Sequence, residues 1–151
     1  MNKIGFTGSR RGMTKAQKAV LNEIFGGHTP FELHHGDCVG ADEDAHNIAR
    51  EIEKRTGQFV KIVVHPPSNY KLRAYTIPDT LKKEKEYPER NKDIVNETDF
   101  LVACPNRDIV HKGPGGGGTW ATVRYARSVN KPVTIVYQNG NMDHLDEKKG
   151  L

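Results

Sequence analysis

Apolar residues fall along this chain in two kinds of stretch. Short, nearly unbroken runs cover residues 3–7, Phe31–His35, Val60–Val64, 99–103 and 132–137. Runs of that length and density are expected of strands covered on both faces. Between them lie longer stretches with apolar positions three and four apart, the spacing of a helix with one buried stripe. Ala16, Val20, Leu21, Ile24 and Phe25 make the first stripe. Thr14 with Gln17 forms a capping box before it, and Gly26-Gly27 closes it. Ala45, Ile48, Ala49 and Ile52 mark a second helix over Ala41–Thr56. A third is expected over Tyr87–Asn96 and a fourth over 119–129. Residues 65–86 break the rhythm: this segment is long and polar and holds Pro66, Pro67 and Pro78. Loops of that length are usually functional or mobile.

Strand and helix alternate throughout, which predicts an α/β domain: a parallel five-stranded sheet with helices on both faces. One domain is expected over 1–138, with a polar tail over 139–151 in which only Leu145 suggests docking. Open parallel sheets bind ligands beyond the carboxyl ends of their strands. The segments 8–12, 36–42, 65–73 and 106–119 are therefore expected to meet at one crevice.

The chemistry in those segments is suggestive. Lys112-Gly113-Pro114-Gly115-Gly116-Gly117-Gly118-Thr119-Trp120 stands between a strand and a helix. A glycine-rich turn at a helix N-terminus exposes unpaired N–H groups at the positive end of the helix dipole, a phosphate-binding geometry. Gly8-Ser9-Arg10 adds a close backbone approach, a hydroxyl and a guanidinium. It is neither a dinucleotide fingerprint nor a Walker loop. Asp37 is the candidate partner for sugar hydroxyls, whereas Asp42 has a simpler duty as a helix cap. Arg90 and Asn91 open a helix beside the crevice, and Trp120 is placed to stack on a ring. His34, His35, Asp37, Cys38 and His46 match no closed zinc spacing, so no metal is expected. Formal net charge is +4 and the pI about 9.1. That suits an anionic ligand, but no dense arginine stripe or aromatic–basic array points to DNA. The two cysteines, Cys38 and Cys104, make no disulfide framework. With no leader and no bilayer-spanning stretch in sight, a cytoplasmic location is expected.

Four motifs in order resemble the SLOG superfamily, which includes DNA-processing protein A and the Lonely Guy phosphoribohydrolases. They are Gly5-Phe6-Thr7-Gly8-Ser9-Arg10, the stretch from His35-Gly36-Asp37 to Asp44-Ala45-His46, Tyr87-Pro88-Glu89-Arg90-Asn91, and Gly115-Gly116-Gly117-Gly118-Thr119-Trp120-Ala121-Thr122. The resemblance implies a Rossmann-like fold that holds a nucleotide or ADP-ribose-like ligand. It implies contacts from Gly8, Ser9, Arg10, Asp37, Arg90 and residues 115–119, and at least a dimer. The implied role is a sensor, or a sponge that sequesters a signalling nucleotide in phage anti-defence, with no cofactor. The Lonely Guy motif ends in a catalytic glutamate where this chain has Thr122. A threonine cannot supply that carboxylate, so N-glycosidic hydrolysis is the second expectation. Single-stranded DNA binding is the third.

Overall fold

The apolar runs become the strands of one sheet. The structure is a computed structural model that describes residues 1–106 and 117–146. Its elements are β1 (Asn2–Gly8), α1 (Lys15–Gly27), β2 (Phe31–His35), α2 (Ala41–Thr56), β3 (Val60–Val64), β4 (Thr80–Leu81), α3 (Tyr87–Asn96), β5 (Phe100–Cys104), α4 (Gly117–Ser128), β6 (Val133–Val136) and β7 (Met142–Leu145). Strand order is β4-β3-β2-β1-β5-β6-β7. Every neighbouring pair is parallel except β6 and β7.

The sheet therefore has seven strands, two more than expected. β4 is two residues inside the proline-containing segment, too short to show a period. β7 lies within the expected polar tail, and its residues are mostly exposed, so no apolar alternation marks it. Leu145 packs against the second core cluster.

Period two in the strands decides which face each side chain serves. Ile4, Phe6, Leu33, Ile62 and Val102 join Leu21 and Phe25 of α1 and Ala45, Ala49 and Ile52 of α2. Leu101 and Ala103 point the other way, to Val95 of α3 and Trp120, Val123 and Ala126 of α4. The capping box is present: Gln17 N–H donates to Thr14 Oγ1 at 3.1 Å, and Thr14 N–H to Gln17 Oε1 at 3.0 Å. Gln17 also works at long range. Its buried amide donates to the carbonyls of Pro105 and Val136, tying α1 to the ends of β5 and β6. Among the described residues no helix is long and apolar enough to cross a membrane.

Candidate functional site

β1 lies between β2 and β5, where the chain order of the sheet reverses. A cleft of about 490 Å³ opens beyond the carboxyl ends of these strands. The turn after β1 supplies Gly8, Ser9, Arg10 and Arg11; α3 supplies Tyr87, Arg90 and Asn91; the first turn of α4 supplies Gly118, Thr119 and Trp120. Gly36, Cys38 and Asp42 after β2 line it as well, so three of the four segments expected at one rim are brought together, and 65–73 does not line it. Gly115 and Gly116 lie outside the described residues, and Gly117 is the first residue of α4.

The turn after β1 is pinned by its backbone. Ser9 N–H donates to the Cys104 carbonyl at 3.3 Å, and the Ser9 carbonyl accepts from Ala41 at the start of α2. Gly40 sits at φ +97°, and a Cβ there would run into the Arg10 backbone. Only glycine allows α2 to begin this close to the arginine turn. The Arg10 side chain is exposed, and its guanidinium lies 5.0 Å from the Tyr87 ring centroid.

Arg90 is nearly fully buried. Its guanidinium donates to the carbonyls of Gly36 and His65 (3.2 Å to the latter) and, through Nε, to Asn91 Oδ1 at 2.8 Å. It also lies 4.8 Å from the Tyr87 centroid. Tyr87 thus takes both guanidiniums against its ring, a cation–π platform that sequence reasoning missed. Burial and the neighbouring Cys38 push its hydroxyl up to about 12. The amide of Asn91 steadies Arg90 rather than reaching across the cleft by itself.

Asp37 does not line the cleft. It is fully buried, and its carboxylate is already engaged. Arg73 donates to Oδ2 from Nε at 3.0 Å, with Nη2 at the same distance. Thr76 donates to Oδ1 from its hydroxyl at 2.6 Å and from its N–H at 3.0 Å. Asp37 latches the segment around residues 73–76 and leaves no oxygen lone pair facing the expected sugar.

Asp42 takes the cleft position instead. It is not the helix cap: Gly40 is, and no side chain caps α2. Asp42 is buried, and its Oδ2 accepts the Cys38 N–H at 3.2 Å. Burial pushes its carboxyl up to about 6, against the opposing pull of Arg90. This carries a stability consequence. A carboxyl raised in the folded state stabilises it below the unfolded value of about 4, and that contribution disappears as pH rises through about 6. The interval corresponds to roughly 3 kcal/mol. Wild type should therefore lose stability between pH 4 and 6 relative to Asp42→Asn, as urea unfolding at stepped pH will report. Parallel curves would show that Asp42 is ionised without penalty.

Trp120 belongs mainly to the core under α4, and only part of it borders the cleft. Stacking on a ligand ring is restricted to that part. Thr122 donates its hydroxyl to the Gly118 carbonyl of its own helix at 2.7 Å.

The histidines separate by strand period. His35 points to the α2 face, where its Nδ1 accepts the Asp37 N–H and its Nε2 meets His46 Nδ1 at 3.0 Å. His34 points to the α3 face and meets His65 at 2.8 Å. Burial lowers all four below the ordinary histidine range, His46 to about 4 and His65 to about 3.

No protein-family model matches the chain, and no relative among curated proteins does. Among solved structures it is similar to the molybdenum cofactor binding protein from the phototrophic bacterium Rippkaea orientalis. The TM-score is 0.66 at 21% identity, covering 90% of this chain and 76% of that one. It is also similar to the structural-genomics target TM1055, with a TM-score of 0.59 at 16% identity, covering 88% of this chain and 72% of that one. At these identities the likeness is one of fold: a Rossmann-like α/β domain.

Proposed function

We propose that the cleft binds a phosphorylated small molecule of the nucleotide or ADP-ribose type, and that the chain is a SLOG-type member serving as a sensor or a sequestering protein. One observation carries this reading. Arg10, Arg11 and Arg90 line one cleft into which the first turn of α4 opens, against the single described carboxylate of Asp42. Cations and the positive end of a helix dipole around a cavity of that size favour a phosphate-bearing ligand. The neighbour named for molybdenum-cofactor binding supports a small-molecule role on this fold. Phosphates would lie against Arg10 and the α4 terminus, with Tyr87 and the accessible part of Trp120 beside the ring.

A panel of mono- and dinucleotides, cyclic ADP-ribose isomers included, tests this through melting shifts. A true ligand at a hundredfold excess over its Kd stabilises by about 2.7 kcal/mol. Arg10→Ala should weaken that ligand roughly 10- to 100-fold, the scale of a charge-assisted contact. Its own melting temperature should stay close to wild type, because Arg10 is exposed. No shift with any phosphate-bearing compound would overturn the reading.

Asp42 favours a second reading, N-glycosidic hydrolysis. A carboxyl held near 6 inside the cleft can deliver a proton to a departing base. Chromatography of the incubated ligand separates the two: intact ligand means holding, and free base that disappears with Asp42→Asn means cleavage.

A further inference from the structure

We infer that His34, His65 and Glu97 form a divalent-metal site of zinc type on the α3 face of the sheet. His34 stands on β2, His65 directly follows β3, and Glu97 directly follows α3. The fold brings these three sequence-distant residues together. His34 Nδ1 and His65 Nε2 are 2.8 Å apart, and Glu97 Oε1 lies 4.0 Å from the first and 3.9 Å from the second. Donors around a tetrahedral zinc ion with bonds near 2.0–2.1 Å stand roughly 3.3–3.5 Å apart. The observed triangle brackets that size, so modest side-chain rotation would seat the ion.

The surroundings are those of a metal centre. Glu32 Oε2 lies 2.6 Å from His34 Nε2 and accepts a hydrogen bond from its N–H. That fixes the tautomer in which His34 Nδ1 carries a bare lone pair aimed at His65. A carboxylate behind a ligating histidine is the usual outer support of a bound metal. With no ion, His65 Nε2–H donates to that lone pair. With an ion, His65 takes the other neutral tautomer, its proton resting on Nδ1, and no net proton is released. Two carboxylates, Glu32 and Glu97, flank the imidazoles. Lys61 at 3.8 Å and Lys82 at 3.4 Å presently offset them from the rim. A dication would do so from the centre. Both histidines are buried, whereas Glu97 is 37% exposed, which leaves a water-accessible fourth position. Hydrogen bonding between the histidines explains their own contact, but not why a third donor faces both. The site also touches the cleft: the His65 carbonyl accepts from Arg90, so an ion on His65 would brace the guanidinium seat.

Untagged protein, stripped with chelator and dialysed, should take up one equivalent of zinc from ZnCl2 in competition with a chromogenic indicator. Its melting temperature should rise on loading. Glu97→Gln and His65→Gln should bind at least tenfold more weakly, and Glu32→Gln should fall 10- to 100-fold, as outer-shell losses do. Metal-free Glu97→Gln should melt like metal-free wild type, because the side chain is half-exposed. No zinc uptake by wild type, or equal uptake by wild type, Glu97→Gln and His65→Gln, would overturn the site. Neither outcome bears on nucleotide binding, which has its own test.

Discussion

Arg90→Met should cost about 3–5 kcal/mol of folding stability, the sum of several buried hydrogen bonds from a charged donor lost together. The substitution keeps much of the volume and removes every donor. The carbonyls of Gly36 and His65 and the amide of Asn91 each lose a partner. Stranding a buried polar group costs roughly 1–3 kcal/mol. Asp42 loses a cation that opposes its burial, so its carboxyl holds a proton to still higher pH. In a domain of this size the loss corresponds to roughly 10–15 °C in melting temperature. Arg90→Lys should recover part of it, since an ammonium keeps the charge without the planar fork. Urea unfolding at pH 7 checks this. A loss under about 1 kcal/mol would mean that Arg90 is not the strut its contacts describe. Gly36 is bound to the same seat, because a Cβ there would collide with the guanidinium.

Asp37→Ala should be almost as damaging, and for a reason unrelated to any ligand. It strands Arg73, whose side chain is only 16% exposed, together with Thr76. The expected loss is again about 3–5 kcal/mol. A double-mutant cycle with Arg73→Met should give a large coupling, because the second change adds little once the carboxylate is gone. The backbone around residues 73–76 should open as well, seen as faster proteolysis beside Tyr70 and Tyr75, both exposed. If Asp37→Ala kept wild-type stability but lost nucleotide affinity, the latch would be refuted and the sugar-contact role restored.

Much of this was legible in the residues. Phe31–His35, Val60–Val64, Ala41–Thr56 and Tyr87–Asn96 carry a strong period or clear breakers, so their limits are set locally. Thr14 and Gln17 announce a helix start by their own chemistry. The rule that ligands gather at strand ends pointed to Gly8, Ser9, Arg10, Gly118 and Thr119, which line one cleft. What escaped depends on long-range partners. Asp37 and Asp42 are five residues apart with the same functional group. Only the approach of Arg73 and Thr76, more than thirty residues on, removes one from the cleft and leaves the other. Likewise, nothing near His34 names His65 or Glu97. Strand alternation separates His34 from His35, but finding their partners takes the packing of three elements. β4 and β7 escaped because two residues show no period and four mostly exposed ones show no stripe.

Both outer strands of the sheet have a consequence for behaviour at high concentration. A second molecule laid along β4 would gain pairing with only two residues, between Pro78 and the lysines 82, 83 and 85. Along β7 it would meet four residues that carry Asp143 and His144. Short, charged margins of this kind obstruct strand addition. Fibril seeding would first require the interior strands to be uncovered, which sets its barrier close to that of unfolding itself.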